Sequence, residues 1–293
     1  MPTIREALKE ASSFLLASGV IEAESVQHAE WLLMYVLDCT RTQLLMRWND
    51  PLIESVYDRF KYFLERRATG EPVQYIIQEQ EFCGRSFYVT SDVLIPRPET
   101  ELLVEHALRA MMHCGLASDA TIGDIGTGSG AIVVSLAIEC PKSKLYGLDL
   151  SEPALTIAAK NARRHEVADR IEFLCGSYSE PLMERGLCLD VVVSNPPYIP
   201  RTDEPSLQRE VRCFEPEMAL YGGGDDGMDS YREIIQQFSA WQRRPYVVAF
   251  EVGIGQANGV AELMRELQTW EHIEIIEDWQ NIGRIVLAYA YKK

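Results

Sequence analysis

The stretch Asp124-Ile125-Gly126-Thr127-Gly128-Ser129-Gly130, followed at once by the apolar residues Ala131 to Ala137, decides the fold. Residues near 120–125 read as a strand and those near 130–139 as a helix, so the glycines lie on a strand-to-helix turn. Glycine lets the backbone turn sharply and lets a ligand approach it closely. The helix that follows presents unpaired N–H groups at its start. The spacing is Gly-x-Gly-x-Gly, distinct from the Gly-x-Gly-x-x-Gly of dinucleotide-binding folds, which disfavours a dehydrogenase. Nineteen residues beyond Gly130 the next strand ends at Asp149, where a carboxylate can accept both hydroxyls of a ribose. Loop and acid together point to a cofactor that contains a nucleoside.

Outward from this turn, strands and helices alternate. Strands are expected near 144–149, 170–175, 189–194 and 245–252, and helices near 152–165, 229–242 and 256–268. Strands separated by helices of this length build a parallel sheet through right-handed crossovers, an α/β fold. The ending departs from the pattern. Two strand-like runs in HIEIIEDWQNIGRIVLAYAY flank a short connection at Asn281–Gly283, too short for a crossover, so the last strand must run antiparallel to its neighbour.

Toward the N-terminus the texture is helical. Ile4, Leu8, Ala11 and Leu15 recur at helical spacing before Gly19, and Val26, Leu33 and Leu37 continue it in a second helix. Pro51 opens a third, with the stripe Val56, Phe60 and Phe63, which Gly70 stops. These residues form a small bundle without obvious chemistry, a folding or docking module. GEPVQYI and then EFCGRSFYVT carry β-branched and aromatic residues around a glycine, which predicts a β-hairpin linker. The expected organisation is a helical domain over 1–72, a hairpin linker over 73–95 and a catalytic domain over 96–293.

The 293 residues carry 28 Lys and Arg against 44 Asp and Glu, a net charge of −16. The first 85 residues contribute only −4 of it, so the acidic balance lies on the catalytic half. Such a chain has little grip on a nucleic-acid backbone, which is held by Lys and Arg displacing counterions. A neutral or basic protein partner is easier to accommodate. Seven scattered cysteines without a Cys-x-x-Cys pair argue against a disulfide framework and a zinc site. No apolar run reaches the length of a membrane span, and the N-terminus lacks a secretory apolar core. A reduced, cytoplasmic, monomeric protein that binds no membrane is the expectation.

The fourth strand ends in Ser194-Asn195-Pro196-Pro197-Tyr198. Ligands of parallel sheets bind outside the carboxyl ends of the strands, so this tetrapeptide faces the cofactor. Two prolines fix φ and remove donors, leaving rigid carbonyl acceptors, while Asn195 adds an acceptor oxygen and Tyr198 a flat face. A planar NH2 group, as in an amide or aromatic amine, has a delocalised lone pair and attacks poorly. Acceptors from Asn195 and the Pro196 carbonyl can hold its two hydrogens, shift electron density to nitrogen and aim the lone pair at an electrophile. No titratable base is required, because positioning alone supplies on the order of 7–11 kcal/mol in well-oriented systems.

Asp-x-Gly-x-Gly-x-Gly with the strand-end acid resembles the class I S-adenosylmethionine-dependent methyltransferases, and Asn-Pro-Pro-Tyr resembles their branch that methylates planar nitrogens. GEPVQYI (Gly70–Ile76), LIPRPETELLVE (Leu94–Glu105) and FEPEMALYGGGDDGMDSYREII (Phe214–Ile235), with the helical N-terminus, are similar to the PrmC/HemK family, glutamine methyltransferases of peptide chain release factors. The resemblance implies a Rossmann-like, seven-stranded sheet with an antiparallel last strand behind a helical bundle that docks the substrate. It implies methyl transfer from S-adenosylmethionine, without a metal, to the glutamine of the Gly-Gly-Gln motif of class 1 release factors. On the matched motifs, Asp124, Gly126, Thr127, Gly128, Ser129 and Gly130 wrap the methionine part of the cofactor and Asp149 holds the ribose. Asn195 binds the amide beside the cofactor, and Pro196, Pro197 and Tyr198 shape its slot.

The family often has an Asp before a bulky adenine neighbour after the third strand. Here Ser177 stands in that place and Tyr178 is the expected adenine neighbour, while Gly283-Arg284 is a thinner version of the family's usual ending. The five histidines show no metal-ligand spacing. Pro96-Arg97-Pro98-Glu99-Thr100 suits a helix start, with Glu99 a secondary candidate for the site. Gly222–Gly224 with Asp225 and Asp226 is expected to be a mobile loop and a candidate lid. The rival readings are a glutamine methyltransferase of a large-subunit ribosomal protein, whose branch carries Arg-Ser-Pro-Ile where this chain has Arg97-Pro98-Glu99-Thr100, and a DNA adenine methyltransferase, which needs a basic groove. An inactive docking protein is disfavoured by the intact glycine loop and Asn195.

Overall fold

Helix-starting residues and apolar stripes near the N-terminus fold as the periodicity requires. The computed structural model describes residues 1–116 and 119–292. It comprises two compact units, one of Met1–Glu79 with Gln208–Phe214 and one of Gln80–Leu207 with Glu215–Lys293.

The first unit contains α1 (Ile4–Ala17), α2 (Glu22–Leu37), α3 (Arg41–Met46), α4 (Glu54–Ala68) and α5 (Val73–Ile77). Thr3 with Glu6 and Thr40 with Gln43 form capping boxes that satisfy free N–H groups at the starts of α1 and α3. Ile4, Leu8, Ala11 and Leu15 are buried against Leu32, Leu33, Phe60 and Leu64. Two expectations are corrected here. Val26 is 50% exposed, because α2 buries the stripe of Ser25, Ala29, Leu32, Leu33 and Val36 instead. The short α3 lies in a stretch that carries no clear periodicity. Val73–Ile77 is a helical turn rather than strand, its Val73, Tyr75 and Ile76 all buried, so packing overrides β propensity.

Segment Gln208–Phe214 belongs to this unit through a buried ionic cluster. Arg67 is 2% exposed; its Nε donates to His28 Nδ1 at 3.1 Å and its Nη2 to Glu210 Oε1 at 2.8 Å. Burial, with Arg67 adding to it, pushes the His28 imidazole down to about 4, so it stays neutral and serves as an acceptor.

The second unit opens with the hairpin β1 (Glu79–Phe82) and β2 (Arg85–Tyr88), followed by α6 (Thr100–His113), β3 (Thr121–Ile125), α7 (Ala131–Glu139), β4 (Lys144–Asp149), α8 (Glu152–Arg164), β5 (Ile171–Cys175), α9 (Glu180–Glu184) and β6 (Val191–Ser194). After α10 (Arg209–Phe214) of the first unit come α11 (Asp229–Phe238), β7 (Val247–Glu251), α12 (Ala257–Glu266), β8 (His272–Glu277) and β9 (Gly283–Tyr289). The seven-stranded sheet has the order β5-β4-β3-β6-β7-β9-β8, and only β9 runs antiparallel to its neighbours. Central strands are apolar on both faces, as sheets covered by helices on both sides require. Val191 and Val193 join a core with α6 and α7, whereas Val192, Val248 and Phe250 join another with α11 and α12.

The chain runs from β3 outward to β5, then returns to β6 on the other side. The carboxyl ends of β3 and β6 therefore flank the topological switch point, where an open α/β sheet binds its ligand. Ser194 at the end of β6 ties the two strands there by donating from Oγ to the Ile125 carbonyl at 2.6 Å. Among the described residues no helix is long and apolar enough to cross a membrane, and no group of three His, Cys, Asp or Glu side chains could hold a metal ion.

Candidate active site

Three strand ends meet at the switch point. Gly126, Gly128 and Gly130 all adopt positive φ, the left-handed region that side chains disfavour, so the turn after β3 depends on glycine. Gly130 is needed twice over, since a methyl group there would lie 3.0 Å from Ala158 Cβ on α8. The turn is held by the Gly126 and Thr127 N–H groups, which donate to the Leu148 carbonyl at 2.8 and 2.9 Å.

The two aspartates behave differently. Asp149 accepts from the Gly128 N–H at 2.8 Å and the Ser151 N–H at 2.9 Å and lines the cavity. Asp124 is wholly buried and does not line it. Its Oδ2 accepts from the Thr127 hydroxyl at 2.6 Å and the Val133 N–H at 3.2 Å, bracing the loop and the start of α7. Burial pushes the Asp124 carboxyl up to about 7. The assignment of Asp124 as a direct cofactor contact is thus corrected to that of a brace behind the loop.

The cavity, of about 480 Å³, has the size and mainly apolar character of a small-molecule site. Gly126, Thr127, Gly128 and Ser129 form one wall, Asp149 another, and Ser177, Tyr178, Asn195 and Pro197 close it. Tyr178 holds positive φ, and its hydroxyl donates to Ser230 Oγ at 3.2 Å, which fixes the ring between this cavity and a shallower one beside it. Gly130, Pro196 and Tyr198 do not reach the lining. Tyr198 packs toward the core formed with α11 and α12 and against Gly253, and its carbonyl accepts from Gln256 Nε2 at 2.9 Å. It anchors the tetrapeptide from behind instead of shaping a slot.

Other lining residues escaped the sequence reading. Pro96, Arg97 and Thr100 face the cavity, whereas Glu99 does not line it and makes no capping bond with its side chain. Arg97 Nη2 donates to the buried Glu215 at 2.6 Å, which carries the segment after α10 back to the cavity wall. Asn161 on α8, fully buried, accepts from the Tyr88 N–H and donates to the Tyr88 and Ser129 carbonyls, so one side chain joins the hairpin to the glycine turn. Nothing in the sequence marks it except a lone polar residue in an apolar helix face.

Gly222 is buried and tightly packed at the start of the Gly222–Gly224 loop, while Gly223, Gly224, Asp225 and Asp226 are exposed. A methyl group on Gly222 would lie 2.0 Å from the Gly227 carbonyl oxygen and 2.6 Å from that of Pro197. Ile199 exchanges backbone hydrogen bonds with Leu220 and Gly222, and Arg232 pairs with Asp226 and Asp229. The loop clamps the Asn-Pro-Pro-Tyr backbone in place.

A glycine turn, a strand-end acid and an Asn-Pro-Pro-Tyr strand end around one cavity define a class I methyltransferase. Comparison with known proteins narrows the class. A family profile described as PrmC N-terminal domain matches residues 6–77, and one described as methyltransferase domain matches residues 116–240. A release factor glutamine methyltransferase of Moorella thermoacetica is 41% identical over 287 residues, 98% of each chain. That of Bacillus subtilis is 37% identical and covers 100% of this chain and 99% of its own. The chain belongs to the release factor glutamine methyltransferase family. Among solved structures, the hMettl16 catalytic domain shares the fold with a TM-score of 0.55 at 15% identity, over 84% of this chain and 96% of that one. The N-terminal domain of human METTL16 in complex with SAH shares it with a TM-score of 0.51 at 16% identity, over 80% and 84%.

Proposed function

We propose that this protein transfers a methyl group from S-adenosylmethionine to the side-chain amide nitrogen of the glutamine in the Gly-Gly-Gln motif of class 1 peptide chain release factors. The observation that carries this reading is the state of Asn195. Its Nδ2 donates to Thr100 Oγ1 at 3.2 Å, so Oδ1 remains as an acceptor at the cavity wall. An acceptor there suits an NH2 group and does nothing for a nucleophile that lacks hydrogens.

The cofactor fits the residues present. Asp149 keeps lone pairs for two ribose hydroxyls beyond its two N–H partners, and the glycine turn leaves room for a chain to lie against its backbone. When bound, S-adenosylmethionine supplies an electrophilic methyl group. Asn195 Oδ1, the acceptor at the cavity wall, would take an amide hydrogen and so turn the nitrogen lone pair toward that methyl. As the N–C bond forms and the methyl–sulfur bond breaks, leaving a neutral thioether, positive charge would develop on nitrogen, and the Asn195 acceptor would stabilise it more than in the ground state. The extra proton then leaves to solvent. Pro197 lines the approach, and the backbone bonds of Ile199 to Leu220 and Gly222 hold the tetrapeptide and keep the acceptor fixed. The helical unit, which matches the family's N-terminal profile, is the docking element for the release factor in this reading.

The ribosomal-protein reading is disfavoured by Pro98-Glu99-Thr100 after Arg97, and the DNA adenine reading by the charge of −16. Asn195→Ala should bind S-adenosylmethionine as the wild type does yet lose about 100-fold or more in kcat, as when one stabilising group is removed from a transition state. Calorimetry and labelled methyl transfer check it, and full activity in that variant contradicts the amide clamp. Labelling of ribosomal protein or duplex DNA while release factor stays unlabelled overturns the substrate assignment.

A further inference from the structure

A carboxamide can sit either way round, and the two orientations are chemically opposite: one end accepts hydrogen bonds and the other donates them. A clamp built on Asn195 works only if its oxygen faces the substrate. We propose that Thr100 and Glu251 are positioning residues that fix the orientation of Asn195 through a one-way chain of hydrogen bonds. This rests on the reading of Asn195 as the amide acceptor.

The chain starts at the end of β7. Glu251 is 3% exposed, and among the described residues its Oε2 has no hydrogen-bond partner. The buried Thr100 hydroxyl, at the start of α6, faces this carboxylate and, acting on it as a donor, favours its charged form. A hydroxyl has one hydrogen to give. Once it points at a carboxylate, which only accepts, the oxygen can only accept from its other neighbour. That neighbour is Asn195 Nδ2, 3.2 Å away. The amino end is thereby held and Oδ1 is left for substrate. A buried carboxylate with one oxygen unsatisfied lowers stability, so packing does not account for its presence.

The polarity holds while Glu251 is ionised; a protonated acid can donate to Thr100 and reverse the chain. Burial pushes this carboxyl up to about 7, Glu99 acts in the same direction, and Thr100, Arg284 and Arg97 oppose it. Tyr198 and Tyr231 also face it and stay neutral over the relevant range, burial pushing Tyr198 up to about 12 and Tyr231 well above its ordinary value.

The test compares Thr100→Val, Thr100→Ser and Glu251→Gln with the wild type. Three quantities are read: S-adenosylmethionine affinity by calorimetry, kcat and KM with release factor between about pH 5.5 and 9, and the Asn195 side-chain amide signals by NMR. Thr100→Val and Glu251→Gln should lose about 10- to 100-fold in kcat, the range for groups that orient a functional ligand, with cofactor affinity unchanged. Thr100→Ser should restore most of the rate. Wild-type kcat should fall as pH drops through about 7, and Glu251→Gln should flatten that limb. Full kcat in Thr100→Val, or a serine variant as impaired as the valine one, overturns the proposal. The NMR arm is independent of the reaction: the Asn195 amide should keep a bonded, exchange-protected hydrogen in wild type and Thr100→Ser and lose it in Thr100→Val. If wild type shows that signal but does not methylate release factor, the functional reading fails and the orientation chain stands. If the signal is the same in all variants, the chain fails whatever the substrate. Should Glu251→Gln not fold, the valine and serine pair decides.

Discussion

Asp124, Asp149 and Glu251 each end a parallel strand, yet their surroundings give them different tasks. Asp149 reaches the cavity, Asp124 braces the turn from beneath, and Glu251 lies sealed against Thr100. For Glu251 the energetic consequence has a definite sign. Its ordinary value is 4.5 and burial pushes it to about 7 in the folded protein. Between those values the folded state holds a proton that the unfolded chain has released, so stability is complete below 4.5 and declines as pH rises through about 7. The ionised form above that range is held at a cost on the order of 3 kcal/mol. Glu251→Gln should therefore raise the melting temperature relative to wild type more at about pH 8 than at pH 5, while lowering kcat. An equal difference at both pH values contradicts the buried carboxylate. A residue that lowers stability where it raises rate is what a positioning role looks like at this scale.

At the scale of elements, the turn after β3 and the strand ends at Asp149 and Asn195 were legible because each is a local pattern: glycine spacing, alternating strands and helices, a polar residue closing an apolar run. The Gly222–Gly224 loop was not. Its composition is that of a flexible segment, and the close packing of Gly222 comes from the Gly227 carbonyl and from the Pro197 carbonyl, which lies far away in sequence. Gly222→Ala tests this. With a methyl group 2.0 Å from a backbone oxygen, it should lose about 1–3 kcal/mol of stability, the range for overpacking, and show lower kcat because the tetrapeptide must shift. Thermal denaturation and initial rates check it, and an unchanged melting temperature means that the loop gives way. Val73–Ile77 failed to read as helix for a related reason: five residues with three β-branched side chains carry no period, and burial of Val73, Tyr75 and Ile76 decides their state. Thr100 was visible only as a helix start, since its partner Asn195 lies 95 residues further on.

For the whole molecule, length and charge marked out two parts and a protein substrate, and the seven-stranded sheet with reversed β9 agrees with the short final connection. The excursion Gln208–Phe214 could not be read, because Arg67 and Glu210 are 143 residues apart and neither stands out in its own segment. The acidic balance of the catalytic half, −12 of the −16, fits a substrate that presents a basic or neutral protein surface to it. All of this converges on one claim, that the methyl group goes to a glutamine amide nitrogen. The most direct measurement incubates the full-length protein with S-adenosylmethionine and a class 1 release factor and locates the added mass by fragmentation mass spectrometry. The account predicts one methyl group on the side-chain nitrogen of the glutamine in Gly-Gly-Gln, absent with Asn195→Ala. A methyl group on any other residue, or none on the release factor while another substrate is labelled, contradicts it.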